Sequence, residues 1–277
     1  MAESANPIPR KAAPVRTKID HLRLDVVGPV ATLTLNRPER HNALSLDMYH
    51  QIPEMLSRLE IDRTVSSLVI RGCGLRAFSA GADITEFTTV RAGAEGARLY
   101  NLAVAEAERA ISNFHAPTIA MVHGFCIGGG CGLALSCDLR LADTAAAFGI
   151  TPARLGFAYS LESTKRLMDL AGPAEASYLL FSGRRVSAER ALWNGLVNEV
   201  HPPEELEKVT YELAVEISKR APMSLRATKE IIGLVRAGQV RDDDYTTALR
   251  NDLFESSDYI EGVEAFLGKR PPHFSGC

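Results

Sequence analysis

Two short runs of small residues constrain this chain more than any other feature. One is Phe78-Ser79-Ala80-Gly81-Ala82-Asp83-Ile84; the other, further on, is Gly128-Gly129-Gly130-Cys131-Gly132. Each follows an apolar run that reads as a strand, residues 67–70 in the first case and 117–122 in the second. A strand that ends in such a turn can present backbone N–H groups to open space. Two N–H groups aimed at one point form an oxyanion hole, which stabilises charge developing on a carbonyl oxygen. The pairing therefore points to an enzyme acting on a thioester or a similar acyl compound.

The rest of the pattern is α/β. Residues 22–27 and 30–35 read as strands of a hairpin, with Gly28-Pro29 as the turn. Ser45 is placed to cap a helix carrying Met48, Ile52, Met55, Leu56 and Leu59 on one face. Residues 97–114 repeat at helical spacing, with Leu99, Leu102, Ala103, Ala107, Ala110 and Phe114 on the predicted apolar face. Short strands are expected at 139–141, 147–150 and 196–200. Ser187 and Pro203 mark the starts of later helices. The order strand, strand, helix recurs through the first two-thirds, and the last third is helical. We expect a mobile extension over residues 1–18, a core over 19–200 and a helical region over 201–277.

Bulk properties narrow the function. With 277 residues and 46% hydrophobic composition, a full core is available without disulfides or metals. The formal net charge of −3 gives no overall positive field for nucleic acid. Five cysteines, an odd number with no CxxC pair, indicate neither a disulfide framework nor a zinc site; reduced thiols in a cytoplasmic protein are expected. No apolar run reaches the length of a membrane span. Gly128-Gly129-Gly130 does not fit the dinucleotide pattern G-x-G-x-x-G.

Several motifs in order resemble the crotonase (enoyl-CoA hydratase/isomerase) superfamily. They are Asn36-Arg37-Pro38 with Asn42-Ala43-Leu44, the run 78–84, Gly124 with Gly128-Gly129-Gly130, Cys137-Asp138, Gly195-Leu196-Val197-Asn198, and Phe266-Leu267-Gly268-Lys269-Arg270-Pro271. The resemblance covers roughly residues 20–274. It implies a spiral of ββα units with a C-terminal helical region that serves trimerisation and the substrate pocket. The assembly implied is a homotrimer or a dimer of trimers. It further implies acyl-CoA substrates, with coenzyme A as part of the substrate and no separate cofactor or metal. The oxyanion-hole positions match Ala82 and Gly129. Arg40, Ala43, Ala80, Asp83 and Ile84 match positions along the CoA path, and Lys269 or Arg270 is placed to meet CoA phosphates. Asp83 is equally readable as a structural bond to the amides of its own loop.

The chain departs from the hydratase pattern where hydratases carry two glutamates. One position is Gly132; the other falls on Ala153 or Pro152. Hydration needs one group to deprotonate water and one to protonate the α-carbon. The stretch 155–160 and the C-terminal tail resemble the methylmalonyl-CoA decarboxylase branch, in which a tyrosine at the position of Tyr159 orients the departing carboxylate. Decarboxylation suits a site without a base, so a lyase of that kind is the first expectation. Tyr159 also reads as a half-buried loop tyrosine. Glu162 is either a substitute base or a helix-start carboxylate. Hydration or isomerisation with a relocated acid, from Glu162 or Glu86, is the second expectation. A silent acyl-CoA-binding protein is the third.

Overall fold

The computed structural model describes residues 21–62 and 64–276, so the extension expected over residues 1–18 lies outside the described residues. Strands β1 (Leu22–Val27) and β2 (Val30–Leu35) form the antiparallel hairpin, turning at Gly28 with φ 56°. Then come β3 (Ser67–Gly72), β4 (Ala77–Ser79), β5 (Thr118–Val122), β6 (Phe125–Ile127), β7 (Leu139–Asp143), β8 (Ala147–Gly149), β9 (Arg185–Ser187) and β10 (Glu199–His201). They build two sheets, of order β1-β2-β3-β5-β7-β10 and β4-β6-β8-β9. Pairing is parallel except for β1 with β2 and β8 with β9. Each turn of the chain leaves one strand in each sheet: β3 and β4, β5 and β6, β7 and β8. This is the ββα spiral expected from the resemblance.

Helices close the turns. They are α1 (Leu46–Asp62) before β3, α2 (Phe87–Val90) and α3 (Gly93–Ser112) after β4, α4 (Gly129–Ser136) after β6, and α5 (Leu161–Ser182) after β8. The helix α6 (Ala188–Trp193) leads to β10, and α7 (Pro203–Ser218), α8 (Pro222–Arg236), α9 (Asp244–Asn251) and α10 (Ser257–Leu267) form the C-terminal region. The large sheet is covered on both faces, as parallel sheets require. Leu68 and Ile70 of β3 face the main core, whereas Val69 between them faces α7 with Ile119, Met121, Leu206 and Ala214. The period of two follows from strand geometry. Ser45 caps α1 as its position suggests, accepting from the Met48 N–H at 3.3 Å. Ser187 caps α6 in the same way. The helix α5 is broken at Gly172, where φ is 78°, just before Pro173.

One expectation needs correction. Ala103 and Ala107 of α3, and Phe114 just after it, are buried as expected, but Leu99 and Leu102, expected on the same face, are 51% and 44% exposed. The buried stripe is Tyr100, Ala103, Ala107 and Ile111, and Glu108 rides on it at 2% exposure. Small side chains at 103 and 107 bring α3 against α1. Packing of that kind outweighs the pull of two leucines. The consequence for the site is large, because a carboxyl that looks solvated in the sequence points inward.

Candidate active site

The two glycine turns meet because both lack side chains where they touch. Gly81 has φ 98°, and a Cβ there would lie 2.8 Å from the Ile127 carbonyl oxygen. A Cβ on Gly130 would lie 2.8 Å from Ser79. The Ser79 hydroxyl fixes the first turn by accepting from the Gly81 N–H at 3.1 Å. Gly128, at φ 52°, then turns the chain into α4, whose first residue is Gly129. The first N–H groups of a helix have no partner within it and carry its positive end. The Gly129 backbone abuts Ala82: a Cβ built on Gly129 would lie 3.5 Å from the Ala82 nitrogen. No hydrogen-bond acceptor takes either N–H among the described residues. Two adjacent free donors, one at a helix start, suit a developing oxyanion.

These donors open on a cavity of about 200 Å³. Ala80, Ala82, Ile84, Gly129 and Tyr159 line it, together with Tyr49, Arg91, Tyr100, Val104, Phe157 and Glu108. The lining is mainly apolar, with a few polar groups, the usual make-up of a site for a small ligand. Tyr49 stands against Gly129, since a Cβ there would be 2.2 Å from its hydroxyl. Glycine at 129 is thus required by the contact itself.

Glu108 changes the reading of the chemistry. Its Oε2 accepts from the Ser163 hydroxyl and from Arg166 Nη1, both at 2.7 Å. Its Oε1 receives no hydrogen bond among the described residues and faces Gly132. A Cβ on Gly132 would fall 2.2 Å from that oxygen and 3.2 Å from the Tyr159 hydroxyl. The carboxyl of α3 therefore occupies the space that a side chain on residue 132 of α4 would enter. Burial pushes the Glu108 carboxyl above its ordinary range, and Ser163 and Arg166 only partly offset that. A carboxyl of raised pKa binds a proton more firmly than an ordinary one and is suited to accept and return it. The expectation of a site without any acid is thereby overturned. The acid comes from another element, a relation that no spacing along the chain encodes.

The Tyr159 hydroxyl donates to the Gly128 carbonyl at 3.4 Å, beside the second turn. Burial, then the charge of Glu108, holds the phenol well above its usual pKa, so it stays a neutral donor. Glu162 lies elsewhere. It sits in the first turn of α5, 43% exposed, with both carboxylate oxygens on Arg109, and it does not line the cavity. The bond from Arg109 holds its carboxyl below the usual range. Ser160, not Glu162, caps α5. Glu86 is engaged by the Leu46 N–H at 3.0 Å. Pro152 lines the cavity and Ala153 is exposed, so no acid enters from that loop.

Asp83 is tied into its own loop. Its Oδ1 accepts from the Thr85 hydroxyl and N–H, and its Oδ2 from Arg37 at 2.9 Å and Arg40 at 3.1 Å. Burial works to raise this carboxyl, but the bonds from Thr85 and Arg37 outweigh it and hold it at about 2. Arg40 and Ala43 stand outside the cavity lining, Arg40 half-exposed on Asp83 and Ala43 accepting from Arg37 through its carbonyl. Lys269 follows α10 with φ 51° and is also outside the lining. His123 is buried and paired with Asp143 at 2.8 Å, away from the cavity.

Comparison with known proteins agrees with this architecture. The family described as Enoyl-CoA hydratase/isomerase matches residues 26–277. A short-chain-enoyl-CoA hydratase of Clostridium acetobutylicum is 33% identical over 257 residues, covering 91% of this chain and 97% of its own. A methylmalonyl-CoA decarboxylase of Escherichia coli is 31% identical over 259 residues, covering 92% and 98%. A crystal structure from Magnetospirillum magneticum, described as an enoyl-CoA hydratase/carnithine racemase, superposes with a TM-score of 0.90 at 33% identity, covering 94% of this chain and 97% of that one. With the spiral of paired strands and the match over nearly its whole length, the chain belongs to the crotonase (enoyl-CoA hydratase/isomerase) superfamily of acyl-CoA enzymes.

Proposed function

We propose that this enzyme adds water across the double bond of a 2-enoyl-CoA thioester, with Glu108 as its acid–base group. The observation that carries this reading is the Glu108 Oε1 against the Gly132 backbone, in the cavity that also holds the Ala82 and Gly129 N–H groups. The thioester oxygen takes hydrogen bonds from those two donors. As water adds to the β-carbon, its proton passes to the Glu108 carboxylate and charge moves onto the thioester oxygen. The enolate then collapses, the α-carbon takes a proton from the Glu108 carboxyl, and the carboxylate is restored. Water is consumed and no other reagent is needed.

Decarboxylation of a malonyl-CoA-like thioester is the second reading. Tyr159 beside the oxyanion turn and the likeness to a decarboxylase favour it. Its first argument was a site free of carboxylates, and Glu108 removes that argument. Binding of CoA along Ala80, Ile84, Asp83, Arg40 and Ala43, with Lys269 on a phosphate, remains part of the proposal. So do assembly as a homotrimer or dimer of trimers and a cytoplasmic setting; exposed Phe254, Ile260, Phe266 and Leu267 in the C-terminal region are consistent with a subunit contact.

Product mass from crotonyl-CoA and methylmalonyl-CoA tests the choice. Wild type should add one water to crotonyl-CoA. Glu108→Gln should lower kcat/KM about 10²- to 10⁴-fold, the usual contribution of a general acid–base group. Loss of CO₂ from methylmalonyl-CoA that persists in Glu108→Gln and weakens in Tyr159→Phe would establish the second reading instead.

A further inference from the structure

The lining of the same cavity includes a cation, Arg91, with no carboxylate ion-pair partner among the described residues. Arg91 follows α2, and its guanidinium lies 4.2 Å from the Phe157 ring centroid, 4.9 Å from Phe87 and 5.0 Å from Tyr100. Its Nη2 donates to the Asn101 side-chain oxygen at 3.0 Å. No carboxylate forms an ion pair with it among the described residues. Ring faces attract a guanidinium through their quadrupoles and hold its plane. They do not neutralise it, so a part-buried guanidinium in a mainly apolar pocket gains from an anionic ligand.

Arg91 also stands at a definite place relative to the reacting groups. Tyr100, which it overlies, meets Tyr49 edge to face at 5.8 Å, and Tyr49 abuts Gly129. Phe157, which it also overlies, lies two residues before Tyr159, whose hydroxyl neighbours Gly132 beside Glu108. Arg91 thus lines the same cavity as Gly129 and Glu108, and the contacts that run from it to Gly129 pass through Tyr100 and Tyr49. An acyl chain that starts at the N–H pair and fills this cavity has a charged fork in its lining. Asn101 uses one of its five N–H donors. The remaining donors match a carboxylate, which takes two of them in parallel.

We infer that the acyl pocket is built for thioesters of dicarboxylic acids, with the distal carboxylate bound by Arg91. The inference deepens the proposed function and rests on the same cavity being the acyl site. A carboxylate there replaces the water lost by the guanidinium and supplies the missing counter-charge. A neutral acyl end gives Arg91 nothing in return.

The test uses two pairs of thioesters that differ only at the distal end. Binding is measured by calorimetry with adipyl-CoA and hexanoyl-CoA, which carry no double bond and so cannot be hydrated. Turnover is measured with hexenedioyl-CoA and 2-hexenoyl-CoA. Wild type should bind adipyl-CoA roughly 10- to 100-fold more tightly, the equivalent of a charged hydrogen-bonded pair. Arg91→Met should erase that preference, and a circular dichroism spectrum that matches wild type shows that the variant folds. Arg91→Lys should keep part of it, since charge remains and the fork is lost. Equal binding of both thioesters by wild type would overturn the inference. So would an equal loss for both in Arg91→Met, because that pattern belongs to a CoA phosphate contact or a structural brace. A binding preference without turnover of either enoyl thioester would sink the hydratase reading and leave this one standing.

Discussion

Asp83 and Glu108 are both buried carboxyl groups gripped by an arginine, and their acidities move in opposite directions. At Asp83 both oxygens are engaged, one by Thr85 and the other by two guanidinium groups. The charge is solvated by protein, and the carboxyl is held at about 2. At Glu108 both donors converge on Oε2 and Oε1 faces the cavity region without one. Burial then prevails, and the proton is held more firmly. The number of oxygens satisfied, more than the presence of an arginine, separates a brace from a group able to exchange protons.

The comparison can be broken most severely at Asp83. Asp83→Asn leaves Arg37 buried with its charge uncompensated, and should cost about 3–5 kcal/mol in chemical denaturation. The depressed pKa fixes the pH dependence. The carboxylate's contribution is present above the ordinary value near 3.8 and is lost as pH falls towards about 2, so the gap between variant and wild type should close below about pH 4. A gap that stays constant with pH would mean that Asp83 acts through packing alone. Glu108 should behave in the opposite sense. Its ionisation weakens the fold as pH rises through its raised value, so Glu108→Gln should gain relative stability on the alkaline side.

Gly132→Ala should come next, at about 1–3 kcal/mol with reduced turnover, because its methyl enters the space of Glu108 Oε1. In a Glu108→Ala background the same change should turn neutral or stabilising, by up to about 1 kcal/mol, since alanine is the better helix former. Additive effects of the two changes would dissociate Glu108 from residue 132. A smaller effect is expected from Ser163→Ala. It removes a donor that favours the ionised carboxyl, so the acid limb of kcat/KM should move up in pH. A limb that shifts down, or not at all, would assign that limb to another group. Glu162→Gln should stay within about 1 kcal/mol in stability, because its pair with Arg109 is exposed, and should move the acid limb down, because its charge helps to raise Glu108.

Much of this was legible in the sequence. The hairpin bounds follow from period-two alternation around Gly28-Pro29, and the two turns announce themselves by small residues after strands. Those residues must be small because the loops touch, so composition and geometry state the same fact. The acid was not legible, because its position is set by the rotation of α3. A face drawn through Leu99, Leu102, Ala103 and Ala107 is too wide, and the buried stripe keeps the two alanines, leaves out the leucines and takes in Tyr100 and Glu108. One signal was available: a glutamate between Ala107 and Ile111 on a helix that must pack closely. Its meaning depends on Gly132, a residue on a different helix, and only folding joins the two.

The rotation of α3 has a consequence for how such an enzyme diverges. Tyr100, Val104 and Glu108 are spaced four apart, so they rise along one edge of a single helix, about 6 Å at a time. That edge carries the ring beneath Arg91, part of the acyl wall and the acid itself. When the acid is on α4, its inheritance is linked to the oxyanion turn and the acyl wall can drift independently. On the proposed function, selectivity and proton transfer are here linked in one segment. A one-residue insertion within α3 would swing all three side chains away together, and exchange of the helix with a relative would transmit both traits as a unit.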